Sequence, residues 1–235
     1  MDQGYQINKQ YYECEAKEVK VFGSVREIAL NEQISSCIKK RPESVVDIGC
    51  GDGALLFDLD KKWKPRIFAF DLTRGRLNNT LNNIKHAHAI QGNVTSLPFK
   101  DNSLDMVICS EVLEHIPDYA RAVDELIRIT KSTLIITVPN EQVLEKIICP
   151  YCHRHFYSAG HINSFSETGM RKMLAAYNTV VVKKIKKFHT IYTYNRQTLK
   201  LWSPLRILLD FLVTRMHGIF SFLKPNFMLV VLEKI

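Results

Sequence analysis

The segment EVLEH, residues 111–115, combines two carboxylates with an imidazole. Glu111, Glu114 and His115 are spaced i, i+3 and i+4, so a helical turn brings them toward one face. Such ligands suit a divalent cation, and the later segment GHINSF offers His161 as a fourth. We therefore predict a Mg²⁺, Mn²⁺ or Zn²⁺ site, with Glu111, His115 and His161 as candidate catalytic residues. Without a metal, either imidazole is a general base or a partner of a backbone carbonyl.

A second candidate metal site lies in the segment CPYCHRHFYSAGH. Cys149 and Cys152 form a C-x-x-C pair, and His153 and His155 follow it closely. Four ligands of these types make a tetrahedral zinc site, although a complete zinc finger usually has a second pair. A redox dithiol and a metal-free loop are the alternatives. His161 cannot serve both metal sites at once.

The stretch SVVDIGCGDG, residues 44–53, joins a β-branched apolar run to three glycines. Gly49, Gly51 and Gly53 lack Cβ atoms, so the chain can turn sharply and a ligand can lie against the backbone. A helix is predicted to begin near Gly53. Glycine-rich turns between a strand and a helix suit nucleotide-like ligands, and Asp71 follows about twenty residues later at the end of the next strand.

Strand and helix patterns alternate around these residues. Apolar runs predict five strands, and periodic segments between them predict helices. Alternation of this kind indicates a parallel sheet with helices on both faces, whose ligand crevice lies at the carboxyl ends of the strands. Two later runs, NTVVVKKIKKF and NFMLVVLEKI, are predicted as a sixth strand and a final antiparallel strand. The five strand segments are SVVDI, RIFAFDL, HAIQGNV, LDMVICSEV and STLIITVPN.

Four ordered motifs resemble the class I S-adenosylmethionine-dependent methyltransferases: VVDIGCGDG, FAFDLT, GNVTSLPFKDNSLDMVICSEVLEHIPD and TLIITVPN. The resemblance covers about residues 40–140 and implies a Rossmann-like seven-stranded α/β sheet with S-adenosylmethionine as cofactor. It implies that Asp47 and the glycine loop surround the methionine moiety and that Asp71 accepts from the ribose hydroxyls. Asn93 and Val94 would lie beside the adenine; an Asn carbonyl can accept from its amino group. The implied cofactor residues are Asp47, Gly49, Cys50, Gly51, Gly53, Asp71, Leu72, Asn93, Val94 and Ser110.

The E-x-x-E-H motif with a later histidine is also similar to two groups of O-methyltransferases. One comprises metal-dependent enzymes that modify RNA 3′-terminal ribose hydroxyls, and the other acts in the ubiquinone pathway. The competing class is a nicotinamide-dependent oxidoreductase, whose fingerprint is G-x-G-x-x-G. The position three beyond Gly51 is Ala54 here, and LPFKDNSLDMVICSEVLEH has no dehydrogenase counterpart that we recognise. Methyl transfer is the favoured prediction.

Length and composition predict one domain over residues 1–235, and the resemblance implies that it is a methyltransferase domain. Its core spans about 40–190 plus a final strand at 226–234, with a substrate-side elaboration at 141–165 and an amphipathic insertion at 190–224. The six cysteines accompany a polar amino terminus without a secretory apolar region, which predicts a reduced cytoplasmic location.

The insertion contains SPLRILLDFLVTRMHGIFSFLK, whose polar residues form one stripe on an otherwise apolar helix. Its charges make it a poor transmembrane span and suit an interfacial helix, so peripheral association with an anionic membrane is one prediction. A substrate-site cover and a dimer interface are the alternatives. The net charge of +8 also fits an anionic partner, with nucleic acid less favoured.

The sequence thus predicts a methyltransferase acting on a small-molecule or lipid-linked acceptor, with oxygen as the favoured acceptor atom. One alternative is a 2′-O-methyltransferase of RNA 3′-terminal ribose. The other is a non-catalytic binding protein that retains the fold.

Overall fold

The computed structural model describes residues 25–148, 153, 155–188 and 225–235. Its α-helices are α1 Val25–Cys37, α2 Ala54–Trp63, α3 Arg74–Asn83, α4 Tyr119–Ile129 and α5 Glu167–Leu174. Its strands are β1 Ser44–Ile48, β2 Arg66–Asp71, β3 His88–Gln91, β4 Leu104–Ser110, β5 Thr130–Pro139, β6 Lys146–Ile148, β7 His155–Tyr157, β8 Val180–Phe188 and β9 Phe227–Lys234.

Seven of these strands form one sheet in the order β3-β2-β1-β4-β5-β9-β8. The first five strands pair in parallel, and β9 lies antiparallel between β5 and β8. The predicted seven-stranded Rossmann-like sheet is therefore confirmed. Ile48 is in register with both Phe70 and Cys109, so β1, β2 and β4 end at the same level. The residues that follow these three strands consequently lie side by side.

Alternate residues of the strands face two separate cores, because successive side chains of a strand point to opposite faces. On one face, α1, α2 and α3 pack against residues such as Val45 and Ile108. On the other face, α4 and α5 pack against neighbours such as Val46 and Val107. Helices thus cover both faces of the sheet, which explains why the central strands are nearly continuous apolar runs.

The segment predicted as a substrate-side elaboration contains a small antiparallel sheet of β6 and β7, in which Ile147 lies opposite Phe156. The chain then makes a turn at Ser158–Gly160. The predicted amphipathic insertion at 190–224 lies outside the described residues. Within the described ranges, no helix has the length and apolarity needed to cross a membrane.

Candidate functional site

A cavity of about 390 Å³ opens at the carboxyl ends of β1, β2 and β4. Pockets of this size commonly bind small molecules. Nine of the ten residues predicted to contact the cofactor line it: Asp47, Gly49, Cys50, Gly51, Asp71, Leu72, Asn93, Val94 and Ser110. Glu111, Glu114, His115 and His161 line the same cavity. The structure therefore brings the two predicted groups of site residues into one space.

Glycine is required in the loop after β1 by both backbone conformation and space. Gly49 has a φ of 79°, and a Cβ there would lie 2.4 Å from Cγ2 of Val112. Gly53 also has a positive φ, 81°, but it does not line the cavity. It precedes α2 and packs against α3, where an added Cβ would lie 2.7 Å from Cγ2 of Thr80. Gly53 thus serves the packing of the two helices beneath the loop, and its predicted contact with the cofactor has no support here.

The carboxylate of Asp71 is held at the end of β2 by backbone and hydroxyl donors. Its Oδ1 accepts from the amide and hydroxyl of Thr73 at 2.8 and 3.0 Å, and its Oδ2 accepts from the Gly51 amide at 3.2 Å. Burial raises the pKa of Asp71, whereas the Thr73 hydrogen bonds and the Arg76 guanidinium oppose that increase. Oδ1 thus already accepts two hydrogen bonds, whereas Oδ2 accepts one and keeps acceptor capacity that a hydroxyl-bearing ligand can use.

Asp47 lies deeper, and only 3% of its surface is exposed. Burial, with a smaller contribution from Asp71, raises its pKa from 3.8 to about 7. Its Oδ1 is buried without a hydrogen-bond partner among the described residues. A buried carboxylate oxygen in that state is costly unless a ligand supplies a donor. The cavity therefore suits a ligand that places an N–H group or a positive charge next to Oδ1 of Asp47.

Two other predicted residues have roles set by the surrounding structure. The side-chain Oδ1 of Asn93 accepts from the Thr95 amide at 3.1 Å, which fixes the turn after β3. Burial and the carboxylates of Asp71 and Asp47 raise the pKa of the Cys50 thiol well above its usual range. Cys50 is thus a neutral part of the cavity wall.

Glu114, His115 and His161 form a compact cluster in which one ligand atom from each lies within 4.8 Å of the others. Nε2 of His115 is 3.9 Å from Oε1 of Glu114, and the two imidazole rings are 4.6 Å apart at 80°. Glu114 is fully buried, and its backbone oxygen accepts from the amides of Ile162 and Asn163. These bonds join the turn at 113–115 to the segment that carries His161.

Hydrogen bonds at Nδ1 orient both imidazole rings. Nδ1 of His115 is 3.1 Å from the carbonyl oxygen of Gly160. Because a carbonyl only accepts, this nitrogen carries the proton, and the lone pair of the neutral ring lies on Nε2. Nδ1 of His161 similarly donates to the side-chain oxygen Oε1 of Gln142. Rings held at one nitrogen by such a partner are typical of metal ligands and of bases.

The helical turn that would bring Glu111 to this cluster does not form, and the predicted role of Glu111 as a metal ligand and catalytic residue stays a prediction. Glu111 has a left-handed backbone with φ 57°, and the helical turn begins only at Leu113. An i, i+3, i+4 argument holds only when the whole segment is helical. The Glu111 carboxylate instead accepts from the Thr137 hydroxyl at 3.4 Å. It lines the cavity beside the cluster without belonging to it.

Two of the four residues of the alternative zinc site, Cys149 and Cys152, lie outside the described residues. His153 and His155 are described and are exposed. Three further residues line the cavity although no sequence motif predicted them as site residues: Glu27 and Asn31 on α1, and Arg76 on α3.

Comparison with known proteins finds similarity to methyltransferases over the region that carries the motifs. Residues 46–136 match the methyltransferase domain family. An uncharacterised protein of Methanocaldococcus jannaschii is 34% identical over 135 residues, which are 54% of this chain and 56% of that protein. A probable chloroplastic tocopherol O-methyltransferase of Oryza sativa is 30% identical over 50% of this chain and 31% of its own length. The chain thus spans about half or less of the curated relatives named here.

Among solved structures, magnesium protoporphyrin IX methyltransferase from Synechocystis PCC 6803, with bound S-adenosylmethionine, superposes with a TM-score of 0.62. It is 13% identical, and the match covers 100% of this chain and 99% of that one. At this identity the likeness establishes the fold.

Proposed function

We propose that this chain is a class I S-adenosylmethionine-dependent methyltransferase and that it transfers the methyl group to an oxygen of a small-molecule or lipid-linked acceptor. One observation carries this assignment. A single cavity contains the glycine loop and the two buried carboxylates at one side and the Glu114, His115 and His161 cluster at the other. A cofactor and an acceptor can therefore meet inside it.

The residues present fit S-adenosylmethionine. The buried Oδ1 of Asp47 suits the cofactor's amino group, and the Asp71 carboxylate suits the ribose hydroxyls. The turn at Asn93 would lie against the adenine, and the bare backbone at Gly49 and Gly51 admits the cofactor closely. When bound, S-adenosylmethionine supplies an activated methyl group, so the protein has mainly to position the acceptor in line.

Oxygen is the proposed acceptor atom because the acceptor side of the cavity offers imidazole nitrogens. The neutral Nε2 of His115 can accept a hydroxyl proton, and His161 stands next to it. The tocopherol enzyme named above is an O-methyltransferase by name, whereas a demethylmenaquinone methyltransferase of Lactococcus lactis is a relative whose name gives no acceptor atom. The demethylmenaquinone enzyme matches 38% of its own length.

We further propose that Glu114, His115 and His161 hold a divalent cation next to the acceptor. Two imidazoles and one carboxylate suit Zn²⁺, Mn²⁺ or Fe²⁺ better than Mg²⁺, which prefers oxygen ligands. A cation at this point would lower the pKa of an acceptor hydroxyl. With a cation bound, these residues are ligands and the hydroxyl proton would pass to water; without a cation, Nε2 of His115 is the candidate base.

Calorimetric titration of the whole chain with S-adenosylmethionine and with NAD tests the class. Binding of the first and not the second is expected, and a preference for NAD would overturn the assignment. Incubation with methyl-labelled cofactor and fractionated cell extract should then label an acceptor. A labelled product stable to conditions that cleave methyl esters and containing an O-methyl group would support oxygen, whereas N-methylation would refute it.

Equilibrium dialysis against Zn²⁺ and Mn²⁺ tests the cation site without relying on activity. The His115→Ala/His161→Ala variant should lose one equivalent of bound metal, whereas a His86→Ala control, at an exposed position on another face, should retain it. A Cys149→Ser/Cys152→Ser variant separates this site from the cysteine pair. Metal that is unaffected by loss of both imidazoles would contradict the assignment and leave them as candidate bases.

A further inference from the structure

Positive charge is distributed unevenly over the described surface. Lys131, Lys183 and Lys187 each lie within 3.2 Å of a carboxylate oxygen. A second set of exposed cations, which we call the basic edge, forms no ion pair with another described residue. The basic edge consists of Lys39, Lys40, Arg41, Lys61, Lys62, Lys64 and Arg66.

The basic edge is one continuous surface because its two chain segments lie side by side at the amino ends of β1 and β2. Nη2 of Arg41 is 3.4 Å from the Lys64 carbonyl oxygen, and the Arg66 amide donates to the Glu43 carbonyl oxygen at 2.8 Å. Ser44 and Arg66 are paired in the sheet. The carboxylates of these segments are fewer than the cations: Glu43, Asp58 and Asp60, of which Asp60 contacts His86.

Aromatic rings accompany three of these cations. Nζ of Lys61 lies 4.1 Å from the centre of the Phe57 ring, Nζ of Lys62 lies 4.6 Å from that of Trp63, and the Arg66 guanidinium carbon is 5.5 Å from the Phe68 ring. Such contacts restrain long side chains while their charges stay in water. The large exposed apolar side chains of the described chain lie elsewhere: Ile28, Val143, Ile147, Ile148, Phe156, Val181 and Ile235.

We propose that the basic edge binds the phosphate backbone of a nucleic acid. Several exposed cations at the edge of a sheet can contact the closely spaced phosphates of a nucleic acid. Neutralising those phosphates releases the counterions bound to the nucleic acid, which favours binding. A membrane-binding surface would be expected to add apolar side chains that enter the lipid, and this edge exposes none of the large ones described above. The net charge of +8 supports the same kind of partner, against the preference drawn from the sequence alone.

The basic edge is distinct from the cavity. Strand β2 begins at Arg66 on this edge and ends at Asp71 in the cavity, a separation of about 17 Å at about 3.3 Å per residue. The edge therefore recruits the protein to a nucleic acid and does not hold the reacting group. This inference does not depend on the methyl acceptor or on the cation site.

Fluorescence anisotropy with a labelled, mixed-sequence single-stranded RNA tests the inference over about 50 to 200 mM salt. The variant Lys61→Gln/Lys62→Gln/Lys64→Gln keeps most of each side-chain length and removes three charges from the edge. The matched control, Lys131→Gln/Lys183→Gln/Lys187→Gln, removes the same net charge from cations that are already paired. Calorimetry with S-adenosylmethionine checks that both variants retain the folded cavity.

We expect the wild type to bind the RNA with an affinity that falls as salt rises. The edge variant should reduce the salt slope by about 2, at about 0.7 for each phosphate contact of a single strand, whereas the control should stay near the wild type. Equal losses in both variants would show that only overall charge matters and would overturn the site. Absence of RNA binding would also overturn it, as would edge-dependent binding to phosphatidylserine vesicles that exceeds binding to RNA.

Discussion

Asp47 is expected to make the cofactor-free protein less stable as the pH rises. Burial together with Asp71 raises the pKa of this carboxyl from 3.8 to about 7 in the folded chain. In the unfolded chain the same group titrates near its ordinary value. Between the two values the folded state keeps a proton that the unfolded state has released, so the free energy of unfolding decreases with increasing pH.

The two pKa values set the size of this effect. Each pH unit inside the window lowers the free energy of unfolding by about 1.4 kcal/mol. The whole window, from 3.8 to about 7, corresponds to roughly 4 kcal/mol as an upper bound. Asn resembles the protonated carboxyl in shape and carries no charge. Asp47→Asn should therefore match the wild type below about pH 3.8 and exceed its stability by up to roughly 4 kcal/mol near about pH 8.

Urea unfolding of both proteins, without cofactor and across this pH range, measures the difference directly. Asp58→Asn is the control, because Asp58 is exposed on α2 and its replacement removes the same charge. A stability difference between Asp47→Asn and the wild type that is the same at both ends of the range would refute the raised pKa. In the folded chain, Asp47 interacts electrostatically with Asp71, Cys50 and Cys109.

Three further changes test the roles of other residues. Asp71→Ala should weaken S-adenosylmethionine binding by about 1.5–3 kcal/mol, the size of a charge-assisted hydrogen bond, and unchanged affinity in calorimetry would argue against the ribose contact. Gly53→Ala should destabilise the fold by at least about 1 kcal/mol, because the new Cβ meets Thr80 at a positive φ; an unaltered melting curve would contradict this. Arg128→Met should cost about 2–3 kcal/mol, since it leaves the largely buried Glu125 carboxylate without its cation; a loss below about 0.5 kcal/mol in urea would show that water replaces the pair.

Local patterns in the sequence determined most of the sheet and its helices. The periodicity of YARAVDELIRIT placed Ala122, Val123 and Leu126 inward, and all three are fully buried. It did not predict the burial of Glu125, whose carboxylate accepts from the Leu97 amide and pairs with Arg128. Periodicity reports which face of an element is apolar, whereas the partner of a polar residue comes from another part of the chain.

The candidate site divides in the same way. Asp71 was predictable because a strand end and its distance from the glycines are local properties. Glu111 lies outside the cluster of Glu114, His115 and His161 because its left-handed φ of 57° interrupts the turn that the spacing assumed. The contact between His115 and His161 depends on hydrogen bonds between segments far apart in the chain, and Arg76 reaches the cavity only through the packing of α3. The sequence by itself therefore determined the elements and the types of group available, because these depend on near neighbours. Tertiary structure decided which groups meet, because backbone torsions and long-range packing fix the distances between side chains.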